Sequence, residues 1–138
     1  MSWLFEGVPF TEPLPQHYGF VYEIVNIATQ KAYIGKKLFW FKKTKIIKGK
    51  KKRYLSPSDW QTYYGSSLSL QKDILETGVD NFRRTIIMMC RNKGECSYYE
   101  AKAQFEHCVL LEPDRYYNEW INCKIHRKHL KVQNECHT

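Results

Sequence analysis

Residues 20–37 read FVYEIVNIATQKAYIGKK, and the way this stretch pairs with itself decides how the rest of the chain is placed. Val21, Ile24, Val25 and Ile27 give its first half β-branched character, and Tyr33-Ile34-Gly35 begins a second strand. Asn26 to Lys31 between them is polar and holds Ala28-Thr29-Gln30, a short turn without the Asn-Gly pair that marks the tightest hairpins. Antiparallel pairing across so short a connection brings Tyr22 and Tyr33 close. Alternation then sets Tyr33, Gly35 and Lys37 on one face and Ile34 and Lys36 on the other. A tyrosine, a space left by glycine and a lysine in line make an opening that a phosphate can approach. Two ordinary strand tyrosines would have the same spacing.

The chain has 138 residues and a formal net charge of +8. That length suits one domain, 1–138, with one core. The charge is concentrated: Lys42, Lys43, Lys45, Lys48, Lys50, Lys51, Lys52 and Arg53 stand together with no acidic residue among them, and the rest of the chain is balanced. A block of this kind is the electrostatic footprint of a polyanion contact. A solvated loop is the plainer explanation, at the cost of self-repulsion. Five cysteines, Cys90, Cys96, Cys108, Cys123 and Cys136, are an odd number without CxxC spacing. A disulfide scaffold and a zinc ribbon are both disfavoured, and a reducing, cytoplasmic compartment is expected. Cys123 with His126, or Cys136 with His137, lacks the second matched pair that a zinc site needs. No apolar run reaches membrane-spanning length.

Along the chain, residues 1–17 carry Trp3, Phe5 and Phe10 among Pro9, Pro13 and Pro15, which reads as an irregular arm packed on the domain. After the two-strand unit, Leu38 to Phe41 prolongs the second strand. Ile46-Ile47 and Tyr54-Leu55 flank Lys48-Gly49-Lys50, so the excursion 42–53 is either a projecting β-ribbon or a loop that orders on binding. Ser56-Pro57-Ser58-Asp59 supplies the start of a short helix through Trp60 and Tyr63 that stops at Gly65. Ser66 or Ser67 caps the next, with Leu68, Leu70, Ile74 and Leu75 as its apolar stripe and Gly78 at its end. Phe82 to Cys90 reads as a buried central strand. Ser97 with Glu100 has capping-box spacing for a helix running to about Leu111, with Ala101, Phe105, Cys108 and Val109 facing the core and Pro113 beyond its end. The tail 122–138 is polar and basic. The expected class is α+β: a small mixed or antiparallel sheet of about three strands, flanking helices and a basic insertion.

Phe20-Val21-Tyr22 and Tyr33-Ile34-Gly35, followed by Val79-Asp80-Asn81-Phe82, Glu100 on a later helix and Tyr117-Asn118, resemble in order and spacing the GIY-YIG nuclease domain. Asn26 and Lys31 also fall where that hairpin often has them, and the likeness spans 18–121. The compact form is similar to bacteriophage and mobile-element members. The resemblance implies a metal-dependent endonuclease acting on double-stranded DNA. Tyr22 would be the general base or its relay, Tyr33 would orient water or phosphate, and Glu100 would hold one Mg²⁺ or Mn²⁺. Asn118 would fix the geometry. A phenol serves as a base near neutral pH only with a cation beside it. The family helix that usually offers an arginine and then a histidine has Asp59 and Tyr63 here, so Lys37 is the expected substitute cation, with Lys36 and Arg53 as fallbacks. Tyr63 and Tyr64 are further candidates, Tyr64 preceding Gly65-Ser66-Ser67, whose amides could hold a phosphate. Phosphate contacts would come from the basic block. The lost arginine and histidine also admit a non-catalytic nucleic-acid-binding module on the same fold.

Overall fold

The structure, a computed structural model, describes residues 2–130. Seven strands and two helices appear among them: β1 (Trp3–Phe5), β2 (Val8–Phe10), β3 (Gly19–Asn26), β4 (Ala32–Leu38), β5 (Trp40–Ile47), β6 (Lys50–Pro57), α1 (Leu68–Thr77), β7 (Phe82–Cys90) and α2 (Lys93–Glu106). The fold is α+β, with a five-stranded sheet in the order β2-β1-β7-β3-β4 and β5-β6 as a separate ribbon. Among the pairings of the described strands only β1–β7 is parallel, and an isolated parallel bridge joins Ala32 to Tyr116. The arm is therefore regular over residues 3–10, and 11–17 run without a strand or helix. Glu6 and Gly7 both take positive φ, 51° and 83°, the geometry of a two-residue hairpin turn, and β1 then extends the sheet beyond β7. Pro9 is accommodated because β2 is an edge strand.

β3 and β4 pair in the register Phe20↔Lys37, Tyr22↔Gly35 and Ile24↔Tyr33. Directly opposed residues share a face, so the sheet has two dissimilar sides. On one, Phe20, Tyr22 and Ile24 join Trp3, Phe39, Trp60, Leu70, Phe82, Ile86 and Tyr117 in an aromatic core. On the other, Val21, Val25, Ala32 and Ile34 pack with Cys90, Cys96, Val109 and Tyr116 beneath α2. A register shift in β7, where Val21 pairs with Met88 but Tyr22 with Ile86, makes a bulge directly beside Tyr22.

Both helices start on side-chain caps. Ser67 accepts from the Leu70 amide, and Gly78 ends α1 at φ 87°. Only Leu70 of the expected α1 stripe is fully buried, with Ile74 partly so; Leu68 and Leu75 face solvent. α2 begins five residues earlier than a Ser97 cap suggests, because Asn92 caps the Glu95 amide while the Glu95 carboxylate accepts from the Arg91 amide. It ends at Glu106, and a left-handed Cys108 (φ 54°) turns the chain away before Leu111, leaving Phe105 and Cys108 exposed. The expected helix at 59–63 is a single 3₁₀ turn, Trp60–Thr62. The basic block is a ribbon: β5 and β6 pair over eight residues each, joined by Lys48 and Gly49 at φ 51° and 76°. At about 3.3 Å per residue each strand is roughly 26 Å long, and it is exposed throughout from Phe41 to Leu55. Residues 122–130 return across the start of α2, with His129 against Gly94. The Cys136–His137 pair lies outside the described residues. No helix among those described is long and apolar enough to cross a membrane.

Candidate active site

β4 is an edge strand, and its outward-facing amides and carbonyls need partners. They find them one after another. Ala32 donates to the Arg115 carbonyl at 2.8 Å and accepts from the Tyr117 amide at 2.8 Å. Ile34 is held by the Asn118 side chain at both ends, its N–H donating to Oδ1 at 3.1 Å and its carbonyl accepting from Nδ2 at 2.8 Å. Gln104 Nε2 of α2 donates to the same carbonyl at 2.9 Å. One residue pair further along, the Glu100 carboxylate accepts from the Lys36 backbone N–H. Glu100 and Gln104, one helical turn apart on one face of α2, thus grip β4 beside Gly35.

Gly35 leaves room on its face of β4 for the Tyr22 hydroxyl. The Tyr22 hydroxyl lies over it, so close that a Cβ at Gly35 would stand 2.5 Å from that oxygen and 2.9 Å from a Tyr33 ring carbon. The result is a cavity of about 280 Å³ at the β4 edge, lined by Tyr22, Tyr33, Lys36, Ser66, Glu100, Gln104, Trp120 and Asn122. Phenols from one face, a carboxylate and an ammonium from the other, and two amides meet there. The Tyr22 ring is 1 % exposed and belongs to the aromatic core, with its hydroxyl over Gly35 at the cavity. Tyr33 lies 6.2 Å from it, centroid to centroid, and its hydroxyl is 3.2 Å from Ser66 Oγ.

The electrostatics follow from burial. The Tyr22 phenol is pushed well above its ordinary value, first by desolvation, then by the neighbouring Tyr63 and Tyr33 phenols, a hydrogen bond with Tyr63, and Glu100. Tyr33 is raised by burial and partly relieved by Ser66. No cation lowers either, so in the free protein both are neutral phenols rather than poised bases. Glu100, with its side chain 13 % exposed, is raised by desolvation and pulled back by the Lys36 ammonium and amide. Lys36 Nζ stands 3.9 Å from Glu100 Oε1 and donates to Ser97 Oγ at 2.7 Å.

Lys37, the expected substitute cation, does not line the cavity. It is held by Asp59 at 2.6 Å and lies over the Tyr63 ring at 4.1 Å. The lysine of the opposite face, Lys36, lines it instead, because the edge position of β4 lets α2 bring Glu100 round to that side. Arg53 lies in mid-ribbon opposite Thr44. Tyr63 packs at 83° and 6.1 Å against Tyr22, within the protein. Tyr64 stacks on the buried Arg84 guanidinium, which is also covered by Trp3 and donates to the carbonyls of Gln61 and Tyr63. Arg84 therefore fixes the turn that carries Tyr63. Of the Gly65-Ser66-Ser67 stretch, Ser66 reaches the cavity. Gln104, Asn122 and Trp120 were not singled out from the sequence. Only Gln104 had a visible signal, its position one turn after Glu100.

A family model described as "Putative endonuclease segE, GIY-YIG domain" matches residues 3–121. The chain belongs to this family. Comparison with curated proteins and with solved structures gave no match. Membership implies a nuclease of the GIY-YIG superfamily with a nucleic acid as its substrate. The matched span takes in every residue of the cavity except Asn122, and also the whole ribbon. Asp59 is ion-paired to Lys37, and the Tyr63 ring packs edge-on against Tyr22.

Proposed function

We propose that this protein is a metal-dependent endonuclease that hydrolyses DNA phosphodiester bonds at the β4 edge cavity. The observation that carries the reading is the convergence of Tyr22, Tyr33, Lys36 and Glu100 on one concave site. A solvent-poor carboxylate surrounded by phenol, hydroxyl and amide oxygens is a hard-donor environment that suits Mg²⁺ or Mn²⁺. Gln104 Oε1 supports the fit: it is buried without a hydrogen-bond partner among the described residues, and its amide is oriented by the Nε2 contact to Ile34. Glu100 would hold the ion, with the Gln104 oxygen beside it. Among the described residues no three His, Cys, Asp or Glu side chains cluster, so the ion would keep waters and take substrate oxygens as further ligands. Once bound, such an ion neutralises phosphoryl charge and acidifies water.

The chain's own groups have separable tasks. Lys36, freed from its weak 3.9 Å pairing, faces the non-bridging phosphate oxygens and offsets the charge that builds up there. Tyr33, the more accessible phenol, orients the attacking water or the phosphate with Ser66. Tyr22 is a neutral phenol in the free protein, its hydroxyl oriented by Tyr63 and lying over Gly35; with a cation bound beside it, it would take the attacking water's proton as the general base or its relay, the role the family resemblance implies. Asn118 holds β4 straight.

The ribbon supplies phosphate contacts. Lys43, Lys45, Lys50 and Lys52 share one face, Lys42, Lys51 and Arg53 the other, and Lys48 is at the turn. A two-stranded ribbon charged on both faces is the shape and charge that a major groove admits, which favours double-stranded DNA. The test is supercoiled-plasmid nicking with Mg²⁺ or EDTA. Wild type should nick only with Mg²⁺, and Glu100→Gln should bind the plasmid equally and not nick. Equal binding with no nicking by either protein would make this a non-catalytic DNA-binding module.

A further inference from the structure

Trp120 is 83 % exposed, while Trp3 and Trp60 are buried and Trp40 is half-buried. It is not loosely placed. Tyr117 and Asn118, just before it, are fixed to β4, and the Tyr117 hydroxyl donates to Asp73 of α1 at 2.7 Å. Trp120 therefore stands in water on an anchored segment. It lines the catalytic cavity and also a second one of about 350 Å³, which shares Tyr33, Ser66 and Trp120 with the first. A second strongly exposed apolar side chain, Leu68 at 82 %, stands on that same second cavity.

The chemistry of the second cavity differs from that of the first. Its remaining lining comes from Ser67, Tyr117, Asn118 and Glu119. No lysine or arginine lines it, and Glu119 opposes an anion, so it does not suit a phosphate. Apolar surface on Trp120 and Leu68, together with hydroxyl, amide and carboxylate groups, suits a flat uncharged ligand with a polar rim. A nucleobase has that form.

We propose that the second cavity receives an unpaired nucleobase adjacent to the phosphate held at Glu100, with Trp120 as its stacking platform. This rests on the nuclease reading and deepens it: Tyr33 would be the shared wall between the base site and the phosphate site. It implies that the DNA is locally unpaired, by fraying or by extrusion of a nucleotide, when it is cut.

The test uses the full chain in EDTA with two probes, an oligothymidylate octamer and an abasic octamer with the same sugar–phosphate backbone. Wild type should prefer the thymidylate, with quenched tryptophan emission. Trp120→Ala should lose that preference, its thymidylate affinity falling roughly 5- to 150-fold, the range for one base–aromatic stack, with abasic binding unchanged. Trp120→Phe should keep most of the preference. Because Trp120 is exposed, the Ala variant should fold, and Leu68→Ala gives a second, smaller loss. A thymidylate preference unaltered in Trp120→Ala, or absent in wild type, overturns the proposal, whatever other partner the exposed ring then has. Plasmid nicking separates the two readings. Normal nicking with no base preference removes the base site alone, whereas a Trp120-dependent preference without nicking removes the nuclease alone.

Discussion

Gly35→Ala tests the packing on which the cavity depends. The added Cβ would lie 2.5 Å from the Tyr22 hydroxyl oxygen, 2.8 Å from Tyr22 Cζ and 2.9 Å from Tyr33 Cε2. Relaxed contacts between carbons are about 3.5–4.0 Å, so the two rings must retreat by on the order of 1 Å. Tyr22 has little room, with Trp3 at 5.1 Å, Phe20 at 6.0 Å and Tyr63 at 6.1 Å between centroids. Gly35 is not in a left-handed conformation, so the penalty is steric and not backbone strain. Overpacking of this kind costs about 1–3 kcal/mol. With a urea m value of about 1–3 kcal/mol per molar, the midpoint should fall by roughly 1 M. On the proposed function, displacing either phenol of the cavity by about 1 Å should also slow nicking on the order of 100-fold. Tyr22→Phe removes the closest of the three contacts, so the double variant should recover part of the loss, a coupling of roughly 0.5–1.5 kcal/mol in a double-mutant cycle. A wild-type urea midpoint for Gly35→Ala, or strict additivity with Tyr22→Phe, would refute the close approach.

Three further outcomes follow from the same geometry. Asn118→Ala leaves the buried Ile34 N–H without its acceptor and should destabilise by about 1–3 kcal/mol in urea unfolding; the Ile34 carbonyl keeps Gln104. Glu100→Gln should abolish nicking while matching or exceeding wild-type stability near neutral pH. The raised Glu100 carboxyl favours the folded state when protonated, and that contribution is lost as pH rises through its elevated value, so any advantage of the glutamine variant should shrink on acidification. Replacing Lys45, Lys50 and Lys52 with Ala should weaken DNA binding and reduce the slope of log affinity against log salt by about 3, as read by fluorescence anisotropy over a salt series.

The β3–β4 hairpin was legible because its signal is local: β-branched runs, a short polar link and alternation that fixes which residues share a face. The ribbon was legible from Lys48-Gly49 between two apolar pairs, although composition alone did not separate it from a loop. β1 and β2 were hidden by prolines that an edge strand tolerates, and the parallel pairing of β1 with β7 joins residues about eighty positions apart. The start of α2 was misplaced because Asn92…Glu95 and Ser97…Glu100 have the same cap spacing, and the cap that forms is the one that also engages Arg91. The family pattern singled out Tyr22, Tyr33 and Glu100, which the fold brings to one cavity, and Asn118, which braces β4 beside it. The lysine lining that cavity is Lys36, where the pattern pointed to Lys37. Alternation placed Lys37 with the tyrosines correctly, but the cavity wraps round an edge strand and takes its cation from the other face. Trp120 gave no periodic or motif signal at all.

The lysine pair gives the most direct measurement of where the chemistry occurs. Single-turnover plasmid nicking with Mg²⁺ should fall on the order of 100- to 1,000-fold for Lys36→Met, the usual loss of a transition-state charge partner. Lys37→Met, which frees Asp59 outside the cavity, should stay within a few-fold of wild type. A severe loss from Lys37→Met with near-normal nicking by Lys36→Met would contradict the β4-edge site.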